Sequence, residues 1–325
     1  MKISYYITDA VFIARPVVLV SVWGFSVLGY YRAAMVYRSA TYRTMWKNVN
    51  ASGFLWMVVF SLSVAAVFIV NQIADSEVDR DNDGFPLLIN TDFSTKASWF
   101  IAAWYGVLSV CIPLAAGYSA LALLAACALG LGMVYSLRPF YFSGRPGLDF
   151  LSNAAGYGVV AFCAGWVLAV PPEEFDVQRF AACAIPYFLL MCGGSISSTI
   201  PDIKGDRAGG KITTAVYLGE RYAHFLATAF VVSAGIGALL VRDPLVVLAA
   251  GISLPLYIAG MVIHTKAVLE STYKVGGGML MIVAGIVFPL FALSGIAVFF
   301  ATRLYFSIRH KIKYPSLLPA ESMDE

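Results

Sequence analysis

Charged residues are scarce in this sequence. Only 13% of its 325 residues carry a charge and 60% are hydrophobic, which gives a mean hydropathy of +0.78. A soluble globular domain has about 25% charged residues, so the composition excludes that class of protein. It predicts a multi-pass integral membrane protein, placed in the lipid bilayer of a cell or an organelle.

Basic tracts and paired cysteines are also missing. The net charge is only +3, and no run of Lys and Arg with interleaved aromatic residues occurs, so no nucleic acid partner is expected. No two of the five cysteines form a C-x-x-C pair. All five lie in apolar segments and are predicted to be small buried hydrophobic side chains: Cys111, Cys127, Cys163, Cys183 and Cys192.

Long apolar runs, in contrast, fill most of the chain. At about 20 residues per crossing, they predict nine transmembrane helices and an all-α fold in a single transmembrane domain over residues 1–325. A polar C-terminal tail is expected from about residue 303. The predicted spans are 12–30, 53–73, 97–117, 119–136, 150–170, 180–200, 222–241, 244–263 and 278–301.

An acidic stretch, "VNQIADSEVDRDN", follows the second apolar run directly. Acids beside a bilayer are costly and usually mark a functional site. Asn71, Asp75 and Asp79 are spaced four residues apart, and each such step advances about 40° around a helix, so the three groups share one face. Asp202 and Asp206 repeat this spacing after the sixth run.

Four predicted spans separate the two acidic motifs, so both are expected at the same membrane face. Carboxylates that meet there need a counter-charge, and a hard cation such as Mg²⁺ fits when a substrate phosphate completes its coordination. Bases near the motifs would then contact a diphosphate: Arg138, Arg145, Arg207 and Lys211. Two alternatives are that the acids are only solvated loop residues, or that they serve an ion-coupled transporter.

Three segments resemble the UbiA superfamily of intramembrane prenyltransferases. "NQIADSEVDRDN" resembles its N-x-x-x-D-x-x-x-D motif, and "DIKGDRAGGKITTAVYLG" resembles its second aspartate-rich motif at nearly every fixed position. "YSLRPFYFSGRPGLDFLSNAAG" is similar to the middle segment of the family. Arg15-Pro16 resembles the Arg-Pro that commonly opens the first helix.

The resemblance implies nine transmembrane helices around a central cavity, and Mg²⁺-dependent transfer of a prenyl group from a polyprenyl diphosphate to a lipophilic acceptor. That acceptor is an aromatic or quinone-precursor compound or an isoprenoid. The resemblance implies that Asn71, Asp75 and Asp79 bind one Mg²⁺, that Asp202 and Asp206 bind another, and that the four aspartates are catalytic. The diphosphate-binding residues that it implies are Arg138, Arg145, Arg207, Lys211 and Asn153.

One position departs from the family pattern, because Phe85 stands where many members have an arginine. This departure makes it unsafe to infer the acceptor from other branches of the family. A terpene cyclase that uses the same diphosphate site, and whose cation is captured by its own chain, is a separate alternative beside the transporter. The sequence does not specify the acceptor, the prenyl length or the oligomeric state. Four aromatic residues are candidates for stabilising an allylic cation, or are ordinary core: Tyr135, Tyr157, Trp166 and Tyr187.

Overall fold

The computed structural model describes residues 2–39, 51–75, 94–263 and 265–315, and these ranges are helical without a strand. The all-α prediction is confirmed. The helices are α1 (Lys2–Phe12), α2 (Pro16–Arg38), α3 (Ala51–Ala74), α4 (Thr95–Ala115), α5 (Ser119–Ser136), α6 (Leu148–Ala169), α7 (Val177–Thr199), α8 (Ile203–Ala208), α9 (Thr214–Leu218), α10 (Glu220–Leu240), α11 (Pro244–Val262), α12 (Lys266–Val287) and α13 (Pro289–Arg309).

Nine helices in the described ranges have the length and hydropathy of a membrane span, so the predicted number of spans is confirmed. The last span was placed wrongly. Residues 278–301 belong to two helices, because Pro289 has no N–H to continue α12 and instead starts α13. The α12 helix is a tenth long helix outside the nine. Its first half holds Lys266, Glu270 and Lys274, which lower its hydropathy.

The first span is also longer than predicted. We expected it to end at residue 30 because arginines follow, but α2 continues to Arg38. The Arg32 side chain is 4% exposed, and its Nε lies 3.1 Å from Oδ2 of Asp243, which is fully buried. Tyr187 donates a hydrogen bond to the same carboxylate at 2.8 Å. A buried ion pair therefore allows an arginine to lie inside the helix bundle.

Each long helix packs against the next along the chain, and α12 returns to α2 and closes a ring. Consecutive spans that each cross the bilayer and pack side by side run antiparallel, so the loops alternate between two faces. Lys211, which follows α7, contacts Asp75, which follows α3. This contact confirms that the two acidic motifs reach one face, called the site face below.

The two ends of the described chain meet beside the site face. Asp9 in α1 accepts hydrogen bonds from Tyr305 and, at 3.3 Å, from Arg309 at the end of α13. The last helix therefore extends six residues past residue 303, where the polar tail was expected to start. Gln72 donates to the backbone carbonyl of Ile13 at 2.9 Å, so the chain just after α1 also contacts the helix of the first acidic motif.

The prediction that the cysteines are buried is right for Cys183 and Cys192 and wrong for Cys111 and Cys127. The last two are exposed on the outer surfaces of α4 and α5, and Cys163 is half-buried. A helix in a bilayer can present an apolar side chain outward, because lipid is as apolar as the protein core.

Replacing Arg32 with Met leaves the Asp243 carboxylate buried without its cation. We expect Arg32→Met to lower the free energy of unfolding by about 3–5 kcal/mol. Adding Asp243→Asn should recover part of this loss, because the amide still caps α11 without a buried charge. Thermal or denaturant unfolding in detergent measures the effect. Arg179→Met is the control, since Arg179 pairs with Asp176 in an exposed contact. Equal stability of Arg32→Met and Arg179→Met would contradict the assignment.

Candidate functional site

Asp75 lies at the end of α3 and is the described acid of the first motif. It is 3% exposed, and its Oδ2 lies 3.1 Å from Lys211 Nζ. Asn71 donates a hydrogen bond to Oδ2 at 3.1 Å, and Tyr141 donates one to Oδ1 at 3.3 Å. The four-residue spacing therefore places Asn71 and Asp75 on one helical face, as predicted.

The second motif lies on the short helix α8 and on the loop after it. Asp206 is 5% exposed and accepts a hydrogen bond from Thr213, whereas Asp202 precedes α8 at the exposed rim. Burial raises the pKa of Asp206 to about 6, against the opposing effect of Lys211 and with the help of Asp202 and Asp75. This carboxyl group is therefore less acidic than a free aspartate, chiefly because it is buried.

Lys211 is the residue at which the two acidic motifs meet. Burial by itself would lower its pKa, but the charges of Asp75 and Asp206 raise it above the usual value for lysine. Tyr135 and Tyr141 contribute in the same direction. The side chain is therefore a cation held between the two motifs.

The three predicted arginines lie at the exposed rim. Arg145 donates to the carbonyl oxygen of Pro139 at 2.7 Å, and Arg207 donates to that of Val216 at 3.4 Å. The Arg138 guanidinium lies 5.5 Å from the ring centre of Tyr141, which itself contacts Asp75. These three contacts hold the arginines at the rim, beside the acidic motifs.

Asp79 and Phe85 lie outside the described residues, so the structure describes two of the three polar residues of the first motif, Asn71 and Asp75. Among the described residues, no three His, Cys, Asp or Glu side chains come together as a metal site. The predicted set of five metal ligands therefore stays a prediction. Asn71, Asp75 and Asp206 form its described inner part.

Asp149 is a residue of the site that the sequence did not reveal. Its buried carboxylate accepts hydrogen bonds from the backbone N–H of Thr214, at 2.7 Å, and from the Thr214 hydroxyl. That hydroxyl also accepts the N–H of Gly147 at 2.8 Å. These bonds fasten the loop before α6 to the loop that carries Lys211. In the sequence, Asp149 is only an acid near the start of a helix, and this does not indicate a hydrogen-bond partner 65 residues away.

Two cavities lie between the helices and share Asn153 and Tyr157. Asn153 donates a hydrogen bond to Tyr135 at 3.3 Å. The first, called the apolar cavity, measures about 160 Å³, includes Asn71, and is walled mainly by Val22, Val64, Val67, Phe68, Leu131 and Ala161. The second, called the hydroxyl-lined cavity, measures about 280 Å³ and is lined by the hydroxyl-bearing residues Ser21, Tyr157, Ser195, Ser198, Ser253, Tyr257 and Tyr273.

The four aromatic candidates separate into two groups. Tyr135 lines the apolar cavity, and Tyr157 lines both cavities. Tyr157 lies in a π-helical stretch of α6, residues 155–161, and such stretches are frequent at functional sites. Trp166 and Tyr187 are fully buried among other side chains, so these two are core residues.

Comparison with known proteins identifies the family. The profile of the UbiA prenyltransferase family matches residues 33–277, which is more than half of the chain. The chain belongs to this family. UbiA relatives include a probable homogentisate phytyltransferase 2 of Oryza sativa subsp. japonica, 25% identical over 177 residues, covering 53% of this chain and 46% of the relative.

A lycopene elongase/hydratase of Haloferax volcanii is 32% identical over 219 residues, which cover 60% of this chain and 67% of that one. The chain thus spans about half the length of the rice relative and two thirds of the archaeal one. A solved UbiA homologue from Archaeoglobus fulgidus, bound to GPP and Mg²⁺, matches with a TM-score of 0.59 and 21% identity. It covers 89% of this chain and 99% of its own, and at this identity the likeness shows the UbiA fold.

Replacing Asp149 with Ala should loosen the segment that carries Lys211. The variant loses two hydrogen bonds to a carboxylate, each worth about 1.5–3 kcal/mol. Local opening is then easier, and we expect tryptic cleavage after Lys211 to accelerate about tenfold or more. Limited proteolysis followed by mass spectrometry measures the rate.

Asp176→Ala is the matched control, because Asp176 caps α7 in a separate exposed loop, where it accepts from Gln178 and Arg179 N–H groups. Equal cleavage rates in both variants and in the unmodified protein would show that Asp149 does not fasten the loop.

Proposed function

We propose that this protein is a Mg²⁺-dependent intramembrane prenyltransferase that acts as one domain over residues 1–325. Its substrates are a polyprenyl diphosphate and a lipophilic acceptor, either an aromatic or quinone-precursor compound or an isoprenoid. The observation that carries the proposal is the buried Asp75–Lys211 contact, which joins two acidic motifs beside two cavities. Membership of the UbiA prenyltransferase family supports the same reaction class.

The side chains at the site fit Mg²⁺, which prefers hard oxygen ligands and usually leaves positions for substrate phosphates. Asn71, Asp75 and Asp206 offer oxygens within the described part of the chain, Asp202 offers another from the rim, and Asp79 completes the motif. The raised pKa of Asp206 is in keeping with a carboxylate cluster that takes a cation. A bound Mg²⁺ would act as a Lewis acid on the diphosphate leaving group.

Charge on the departing diphosphate also needs donors from the protein. Lys211 is a buried cation that can exchange its contact with Asp75 for a diphosphate oxygen. Arg138, Arg145 and Arg207 are exposed at the rim of the same face, and their guanidinium groups can donate two parallel hydrogen bonds to a phosphate. Asn153, which lines both cavities, can donate a further hydrogen bond to the diphosphate. Such donors stabilise charge that develops in the transition state.

Prenyl transfer then breaks one bond of the donor and forms a new bond to the acceptor. The bond between the allylic carbon and the diphosphate oxygen breaks, and its electron pair leaves with the diphosphate. Tyr135 and Tyr157 present aromatic rings to the cavities, where a ring face stabilises a cation by about 0.5–2 kcal/mol. The acceptor supplies the electrons for the new carbon–carbon bond and loses a proton.

The hydrocarbon chain of the donor matches the apolar cavity. Its walls are mainly aliphatic, and it reaches Asn71 of the first motif. A prenyl chain placed there would have its diphosphate beside Asp75 and Lys211. Named relatives act on different acceptors, homogentisate in one and lycopene in another, so family membership by itself leaves the acceptor class wide.

Replacing Asp75 or Asp202 with Asn should abolish Mg²⁺-dependent diphosphate release while the protein stays folded in detergent. Each change removes the negative charge of a carboxylate that would bind Mg²⁺. We therefore expect the rate of diphosphate release to fall about 10²-fold or more. Product analysis by mass spectrometry and a pyrophosphate assay measure it, with Asp176→Asn as a surface control. EDTA should stop turnover and Mg²⁺ should restore it. Full activity in both site variants would contradict the metal assignment.

Incubation of the unmodified protein with a prenyl diphosphate alone distinguishes the other reactions. A prenyltransferase gives a prenylated product only when an acceptor is added. A cyclic hydrocarbon formed without acceptor would instead establish a terpene cyclase. No pyrophosphate release with any combination of prenyl diphosphate and acceptor would leave the transporter.

A further inference from the structure

The hydroxyl-lined cavity has serine and tyrosine residues in its walls, and the hydrocarbon chain of the donor has no use for such polar groups. It lies between α2, α6, α7, α11 and α12, and its volume of about 280 Å³ approaches the lower end of small-molecule sites, roughly 300 Å³. Ser195 lines it and also lines a small pocket that reaches Lys211. A molecule bound in this cavity would therefore lie close to the diphosphate site.

Within the described part of the chain, the Ser195 hydroxyl is a buried polar group without a hydrogen-bond partner. Its residue is 4% exposed, and its Oγ makes no hydrogen bond within the described part of the chain. By contrast, Ser253 and Ser198 in the same cavity donate to backbone carbonyl oxygens of Ala249 and Ser195, at 2.6 and 2.9 Å. A buried polar group without a partner is costly, so a bound hydroxyl or carbonyl oxygen would relieve it.

Charge is missing from the walls of this cavity, because none of the described residues that line it is acidic, basic or a histidine. Lys211 is already paired with Asp75. A carboxylate taken into this space would be desolvated without a cation, which is strongly unfavourable. The cavity therefore selects against an anionic molecule.

Three glycines line the cavity: Gly194 of α7, and Gly276 and Gly277 of α12. A Cβ atom built on Gly194 or on Gly277 would meet no heavy atom within 4 Å. Aromatic side chains, Phe25, Tyr157 and Tyr257, line the same space. Aromatic faces suit a planar ring, because rings pack well in offset or edge arrangements.

We propose that the hydroxyl-lined cavity holds the acceptor, and that the acceptor is an uncharged phenol or quinol whose oxygen bonds to Ser195. The proposal rests on the prenyltransferase function above and narrows its acceptor class. In the step that follows, a ring carbon bonds to the allylic carbon, the allylic carbon–oxygen bond breaks with its electrons on the diphosphate, and the ring carbon loses its proton to an oxygen of the departing diphosphate. No oxidant or reductant is needed.

A matched pair of acceptors tests the charge requirement. 2,5-Dihydroxytoluene and 2,5-dihydroxybenzoate differ only in a methyl group against a carboxylate on the same ring. With the full chain in detergent, Mg²⁺ and a prenyl diphosphate, we expect kcat/KM for the neutral ring to be at least about tenfold higher. Equal or faster transfer to the carboxylate would overturn the proposal, as would transfer to neither ring while other acceptors are prenylated.

A matched pair of glycines tests the location. Gly277→Leu adds a side chain to the wall of the hydroxyl-lined cavity, and we expect it to raise KM for the neutral acceptor about tenfold. Gly278→Leu is the control: the adjacent position has the same open surroundings but does not line the cavity, so its KM should not change. Equal KM values in the two variants would overturn the location.

Ser195→Ala gives a second measure of the hydrogen bond, and a loss of about tenfold in kcat/KM for the phenol is expected. An unchanged value would exclude Ser195 as its partner. Failure of the prenyltransferase assignment is distinguishable throughout, because no acceptor of any kind would then be prenylated.

Discussion

A buried carboxylate at the end of an apolar helix needs a cation to balance its charge, and the site of this protein is arranged to supply one. Asp75 is buried at the end of α3, and its cation is Lys211, 136 residues later in the chain. The contact requires that α3 and α7 end at the same face and that the loop after α8 fold inward. Asp149 and Thr214 fasten that loop, so the position of the second acidic motif depends on a bond to α6.

Much of this arrangement was predictable from the sequence, because it follows from hydrophobic length and helical period. Apolar runs of about 20 residues indicate spans, and an even number of spans between Asp75 and Asp206 places both at one face. Spacing by four residues predicted that Asn71 and Asp75 share a helical side, and the hydrogen bond between them agrees. These signals are local or depend only on parity, so they do not require knowledge of tertiary contacts.

Other features depend on pairs of residues distant in the chain, which no pattern reveals. Arg32 looked like the end of a span, because a charged residue in an apolar run is usually outside the bilayer. Asp243 neutralises it inside the bundle. Asp149 and Tyr141 lie in the middle segment that is similar to the family, but that similarity gave them no role. Ser195 lies in no motif, and the fold brings all three residues to the site. The ninth span was misplaced because hydropathy continues across Pro289 while the helix does not.

The low hydropathy of α12 has a consequence for how the chain is made. Its first half carries Lys266, Glu270 and Lys274, and Glu270 pairs with Lys274 one turn later. A segment of this kind partitions weakly from the translocon into lipid by itself. The α13 helix, which has the length and hydropathy of a membrane span, follows after Phe288 alone, so we expect the two to enter the membrane together as a helical hairpin. Gly276 and Gly277, the α12 glycines that line the hydroxyl-lined cavity, therefore reach the bilayer only once α13 has been synthesised.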